Sequence, residues 1–256
     1  MNAVLDRILD TQTVSDGVIT LPLRHPDFPA LPVALDAKEG QFLTDIIQNL
    51  NATTTLEVGM AYGVSTLYIC DALATLKPKH PARHIVLDPF QSTQWRGIGL
   101  ANVHQAGYGT MVELHEERSE FALPRLVQEG VRLDFAFVDG WHTFDHVLVE
   151  LFYLDRMLRP GGVIAFDDAD RRSVNRVIRY ALNYPNYKVY GTSTRSSGRS
   201  SWLGNARRVL QKVPSADRIV RRDVLFRDWD LGIFGSCVAI QKTGDHARSS
   251  GWYSDF

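Results

Sequence analysis

The chain has 256 residues, 28 Lys and Arg against 29 Asp and Glu, 45% hydrophobic and 22% charged. That is enough apolar material for one large packed core, and the balanced charge removes any global pull toward nucleic acid or an anionic membrane. No window approaches the roughly 18 uncharged apolar residues of a spanning helix, the acids in MNAVLDRILD argue against a secretory signal there, and Cys70 and Cys237 are too few for a disulfide framework or a cysteine metal cluster. A cytoplasmic protein with two buried thiols is expected.

The first 52 residues form a cap-like segment. Its piece TLPLRHPDFPALP (20–32) is too rich in proline for a regular helix or a central strand, and a helix follows over 37–50. From Thr53 onward, β-rich runs alternate with helix-length amphipathic segments. The runs are 53–59, 83–89, 111–117, 134–140 and 161–168, with helices over 64–76, 97–107, 119–129 and 143–158 between them. The last of these helices puts Phe144, Val147, Leu148, Leu151, Leu154 and Leu158 on one stripe and ends at Arg159-Pro160-Gly161-Gly162. A helix over 171–183, a short strand YKVY (187–190) and a final apolar run (232–242) complete the series. Such alternation predicts an α/β, Rossmann-like fold with a mostly parallel sheet covered by helices on both faces. Between the last two strands, residues 191–230 carry nine Lys and Arg against four Asp, a basic insertion running to about 231. This insertion and the N-terminal segment are the candidate contacts of a homodimer; the insertion reads otherwise as a solvated loop or a lid.

Open parallel sheets bind ligands beyond the carboxyl ends of their strands. Here the first strand runs into LEVGMAYGVS, with Glu57, Gly59, Tyr62, Gly63 and Ser65 at its end. Gly59 suits a tight turn, and Gly63 suits close approach of a ligand to a helix N-terminus. Glu57 is out of place in a phosphate-binding loop; a carboxylate there suits a cationic amino group, such as the methionine part of S-adenosylmethionine. Asp88 closes the second strand, where its two oxygens suit ribose hydroxyls. It lies 29 residues after Gly59, long for a dinucleotide fingerprint, and no P-loop string is present.

The fourth and fifth strands end in FAFVDGWHTFDH and AFDDAD. Adjacent strand ends would gather Asp139, Asp167 and Asp168 on one rim, where three acids call for a cation. An oxygen-only donor set suits Mg²⁺ or a similar hard divalent ion. His142, three residues after Asp139, is placed to take a proton from a hydroxyl at that site. The plainer alternatives are that Asp167 caps the next helix, Asp168 is solvated, and Asp139 meets substrate without a metal. Trp95 and Trp141 are candidate pocket walls or core residues.

At these residues the sequence resembles the class I S-adenosylmethionine-dependent methyltransferases, and within them the metal-dependent O-methyltransferases similar to catechol O-methyltransferase. The strings E-x-G-x-x-x-G-x-S (Glu57 to Ser65), DPFQSTQW and LRPGGVIAFDD, and the spacing of 28 and 29 residues from Asp139 to Asp167 and Asp168, carry the resemblance. It spans about 53–190 and the last strand. It implies a seven-stranded sheet with the last strand antiparallel, S-adenosyl-L-methionine as cofactor, and a divalent metal held by Asp139, Asp167 and Asp168. It also implies that Asp139, Phe90 and Gln91 lie along the cofactor and that Ser119 and Glu120 hold its adenine. His142 stands where the catechol-type enzymes place a lysine, as in similar sugar- and macrolide-tailoring enzymes that use histidine bases. The expected activity is O-methylation of a small-molecule hydroxyl. The alternatives are metal-independent N- or C-methylation, a non-catalytic cofactor-binding module and a nucleic-acid methyltransferase; FDDA in place of an N-P-P-Y-like string weighs against the last.

Overall fold

The computed structural model describes residues 2–4, 6, 13–15, 20–22, 35–76, 81–193 and 226–245. Most of the proline-rich piece 20–32 and of the basic insertion 191–231 lies outside these residues. In chain order the elements are β1 (Thr13–Ser15), β2 (Thr20–Pro22), α1 (Ala37–Leu50), β3 (Thr54–Val58), α2 (Val64–Leu76), β4 (Arg83–Leu87), α3 (Ile98–Gln105) and β5 (Val112–His115). Then come α4 (Ser119–Gln128), β6 (Leu133–Val138), α5 (Phe144–Met157), β7 (Leu158–Phe166), α6 (Arg172–Leu182), β8 (Tyr187–Thr192), α7 (Asp228–Leu231) and β9 (Val238–Lys242). β1 and β2 pair as a separate antiparallel ribbon.

The main sheet has seven strands in the order β5-β4-β3-β6-β7-β9-β8, with β9 antiparallel to both its neighbours and the other ladders parallel. This is the expected Rossmann-like arrangement. Period-2 alternation divides each central strand between two cores. Leu56, Val58, Ala136, Val138, Ile164, Phe166, Val238 and Ile240 face one side, where α4, α5 and α6 cover them with residues such as Leu123, Leu126, Leu151, Leu154, Val177 and Ile178. Phe135, Phe137, Val163, Ala165 and Ala239 face the other, under Leu43, Ile46 and Ile47 of α1 and Ile69, Ala72 and Leu73 of α2. Each buried Val, Leu, Ile or Phe among these contributes about 1.5–3 kcal/mol relative to exposure, so both helix layers are held by the same strands. Both cysteines are free and buried, Cys70 in α2 and Cys237 just before β9.

One local feature differs from the periodicity reading. The Arg159-Pro160-Gly161-Gly162 run belongs to β7 instead of separating helix from strand. Leu158, fully buried, already pairs with Leu133, and the register shifts before Phe135 pairs with Val163. Gly161, at φ +85°, accommodates that irregularity. α1 has the expected limits and starts at a capping box: the Asp36 side chain accepts from the Lys38 and Glu39 amides at 2.8 Å, and Glu39 accepts from the Asp36 amide at 3.2 Å. That box aims the first turn of α1 at the sheet's carboxyl rim.

Candidate active site

The chain runs from β3 outward to β4 and β5, then returns to the other side of β3 with β6 and β7, so the strand order reverses between β3 and β6. At that reversal lies a cavity of about 630 Å³. A ladder of bonds beyond the strand ends builds its rim. Gly59 N donates to Leu87 O at 2.9 Å, Asp139 N to Val58 O at 2.9 Å, Asp167 N to Val138 O at 3.0 Å and Asp88 N to His115 O at 3.1 Å.

Gly59 is the tightest point of this rim. Its φ is +90°, and a Cβ there would meet the Asp139 carbonyl oxygen at 2.2 Å. Only glycine satisfies both conditions. Gly63, at φ +81°, lies against Gly99 at the entry to α2. Asp88 organises the loop: Oδ2 accepts from the Met60 and Ala61 amides and from Gln91 Nε2, each at 3.0 Å, and Oδ1 accepts from the Phe90 amide at 2.9 Å. Gln91 also donates to Ala61 O at 2.7 Å.

Of the residues expected at the site, Gly59, Asp88, Phe90, Ser119, Glu120, Asp139, His142, Asp167 and Asp168 line the cavity. Glu57, Tyr62, Gly63, Ser65 and Gln91 stand behind its wall. Glu57 is wholly buried; its Oε2 accepts from Thr66 Oγ1 at 2.5 Å and meets His84 Nε2 at 3.2 Å, while Oε1 has no partner among the described residues. His84 is held from the other side by Thr55 Oγ1 at 2.8 Å. Tyr62 packs edge-on against Trp95, with ring centroids 5.3 Å apart.

One end of the cavity is acidic. Burial, together with the negative charges of Asp167, Glu57 and Asp168, pushes the Asp139 carboxyl well above its ordinary range. Burial, with Glu39 and Asp168 nearby, raises Asp167 likewise, so the two adjacent carboxyls do not both hold a full charge. Asp168 is turned outward, to Arg171 Nε at 2.9 Å and His142 Nε2 at 3.3 Å; the same imidazole nitrogen is 3.7 Å from Asp139 Oδ1. Burial lowers the His142 pKa and Arg171 adds to this, against the opposing pull of Asp168. His142 and Asp168 both adopt left-handed backbone, at φ +50° and +51°, a conformation that costs energy outside glycine and recurs at functional sites.

The oxygen chemistry of Asp139, Asp167 and Asp168 fits a hard divalent cation, and their mutual repulsion is what such an ion would relieve. No group of three or more His, Cys, Asp or Glu among the described residues forms a ready cage for an ion.

The other end is aromatic. Phe90 and the half-exposed Trp141 lie nearly parallel, centroids 6.4 Å apart and planes 20° apart; the Arg118 guanidinium stands 5.4 Å over the Trp141 ring. Several lining residues carried no motif in the sequence: Leu35, Glu39, Arg118, Glu150, Arg171 and Ser236. Glu39, which accepts from Ser236 Oγ, brings α1 onto the acidic end and settles where that helix packs. Its signal was the D-x-x-E capping box. For Glu150 it was an acid on the apolar face of a helix, beside Val147, Leu151 and Leu154.

Comparisons with known proteins agree with this geometry. Residues 56–169 match the family model described as a methyltransferase domain. A catechol O-methyltransferase of Mycobacterium tuberculosis is 25% identical over 215 residues, 79% of this chain and 93% of that one. Caffeoyl-CoA O-methyltransferase 2 of Zea mays is 31% identical over 135 residues, 52% of this chain and 48% of the relative, so the match spans about half of the plant protein. Among solved structures, the O-methyltransferase TomG from Streptomyces achromogenes, in complex with SAM, superposes with a TM-score of 0.63 at 18% identity, over 95% of this chain and 91% of that one. An O-methyltransferase from Bacillus cereus in complex with SAH gives 0.58 at 18% identity, over 74% and 83%. These two share the fold. No helix among the described residues is long and apolar enough to cross a membrane.

Proposed function

From the methyltransferase-domain match over residues 56–169 and the O-methyltransferase relatives, we propose that this chain is a class I S-adenosylmethionine-dependent methyltransferase that methylates a hydroxyl of a small molecule with assistance from a divalent cation. The observation that carries the reading is one cavity with two chemically distinct ends: flat aromatic walls at Phe90 and Trp141, and the acids Asp139, Asp167 and Asp168 with His142. Phe90 and Trp141 receive the nucleobase, with Ser119 and Glu120 at its edge. Asp88 stands at the ribose, and the Gly59 turn gives the rest of the cofactor access to the backbone at the carboxyl end of β3. Asp139, Asp167 and Asp168 would hold the cation. When bound, its chemistry is to draw charge from the acceptor oxygen and so lower the hydroxyl's pKa.

His142, whose pKa burial lowers, lines the acidic end of the cavity as the general base and removes the hydroxyl proton as the oxygen attacks. When bound, S-adenosylmethionine would supply the methyl group, its carbon–sulfur bond breaking as the carbon–oxygen bond forms and the sulfur departing as a neutral thioether, and His142 would hold the proton. The cavity walls supply alignment, which is the main requirement of an in-line transfer. Cation-independent methyl transfer is the second reading, favoured by the outward turn of Asp168 onto Arg171.

The test is transfer of labelled methyl from S-adenosylmethionine to a panel of vicinal diols, sugar hydroxyls and polyketide hydroxyls, with diols first because the mycobacterial relative is named for catechol. Chelation and Asp167→Asn are each expected to abolish transfer, and added Mg²⁺ to restore it in the chelated wild type. Full turnover after exhaustive chelation overturns the cation's part. Absence of transfer to every acceptor, with cofactor bound, overturns the O-methylation reading.

A further inference from the structure

Ser119, the first residue of α4, is 7% exposed and lines the cavity beside Arg118 and Glu120. Its hydroxyl donates to Glu150 Oε1 at 2.8 Å. Glu150 comes from the inner face of α5 and is 1% exposed; its other oxygen, Oε2, reaches neither solvent nor any described partner. Gly140 covers the same carboxyl, for a Cβ at that position would lie 3.5 Å from Glu150 Oε1. An acid in this position is costly as mere packing. Burial raises it, Ser119 pulls it back and Glu120 raises it again, leaving its pKa at about 7. Leucine or methionine would fill the space without that cost.

A serine hydroxyl has one proton and two lone pairs. With the proton committed to Glu150, Ser119 offers the cavity only lone pairs. A nucleobase edge carrying an amino group satisfies them, whereas one carrying a carbonyl oxygen meets repulsion. We propose that Glu150 is a positioning residue for base recognition, holding the Ser119 hydroxyl in the orientation that selects the 6-amino group of adenine over the 6-oxo group of hypoxanthine. The inference rests on the cavity taking an adenosyl cofactor as set out above. In this role Glu150 acts through Ser119.

The experiment is calorimetric binding of S-adenosylhomocysteine and S-inosylhomocysteine to the full chain and its variants. The wild type is expected to prefer the adenosyl ligand by about tenfold or more, the scale of one hydrogen bond replaced by a repulsive contact. Glu150→Gln, whose amide oxygen still accepts from Ser119, keeps the preference within about threefold of the wild type. Glu150→Leu frees the hydroxyl to rotate and donate, so its preference falls to within about twofold of none. Ser119→Ala does the same, and the double variant loses nothing more. A purely structural Glu150 would weaken both ligands alike. A wild-type ratio in Glu150→Leu therefore overturns the proposal whatever happens to affinity or melting temperature, and so does a wild type that binds both ligands equally. If Glu150→Leu does not fold, a wild-type ratio in Ser119→Ala overturns it as well. A wild type that binds neither ligand sinks the cofactor reading itself, a result distinct from these.

Discussion

The α-carbon of Gly59 faces the carbonyl oxygen of Asp139 so closely that a Cβ on it would lie 2.2 Å from that oxygen. The turn after β3 and the end of β6 are therefore one unit, and the residue that shapes the loop after β3 also packs against the backbone of the first acid. Gly59→Ala is expected to destabilise the fold by more than about 2 kcal/mol, combining left-handed strain with a backbone clash. Urea titration of the variant and calorimetry with S-adenosylhomocysteine check this; an alanine variant with wild-type stability and affinity would contradict it.

His142 and Trp141 are neighbours in sequence that belong to opposite ends of the cavity, so their variants should fail differently. His142→Ala is expected to lower kcat by about 10²–10⁴-fold, the usual range for loss of a general base, with cofactor affinity little changed. Trp141→Ala is expected to weaken cofactor binding by about tenfold with a smaller effect on kcat. Steady-state kinetics with both substrates varied, together with direct cofactor binding, separates the two patterns.

Asp134 ties the start of β3 to β6 and β7. Its Oδ2 accepts from the Thr53 and Thr54 amides at 2.7 and 3.0 Å, and Oδ1 from Arg159 Nε at 2.5 Å. Burial pushes its carboxyl up, but Arg159 and the two amides outweigh this and hold the pKa below the ordinary value of 3.8. A depressed carboxyl contributes stability that is present above the unfolded-state pKa and is lost as pH falls through the folded one. Asp134→Asn is expected to cost about 1.5–3 kcal/mol at pH 7, and the gap to wild type to close progressively below pH 4. Urea midpoints of the pair across a pH series read this directly.

Lys242, 4% exposed at the end of β9, donates to the Asp155 and Leu158 carbonyls at 2.6 and 3.1 Å and so satisfies the C-terminus of α5. Lys242→Met is expected to lower stability by about 1–3 kcal/mol through the orphaned carbonyls. Asp245, which meets the same ammonium from solvent at 2.8 Å, should be replaceable by Asn with little change in melting temperature.

Strand–helix alternation is a strong signal because two helix layers must share every central strand. Hence the limits of α1 and α2 could be read from the sequence to the residue. The rim acids were legible for a related reason: a strand end followed by Asp has few places to put it. Glu57 was harder. Its spacing from Gly59 matches a ligand contact, yet Thr66 and His84 claim one of its oxygens, and both come from outside the motif. Glu39 and Ser236 are separated by 197 positions and meet only through tertiary packing. The Arg159-Pro160-Gly161-Gly162 run looked like a stop because proline and glycine end helices; the irregular pairing at Leu133 absorbs the same residues into a strand.

The position of β9 also bears on how the molecule is made. β7 and β8 are consecutive strands in the chain, yet β9, which is synthesised later, lies between them, and β8 joins the sheet only through it. While the polypeptide is leaving the ribosome, the open flank of β7 has no lateral partner, and β8 has nowhere to dock. Completion of the catalytic half therefore waits on the last strand, and a nascent chain halted before Val238 would present a sticky margin for chaperones.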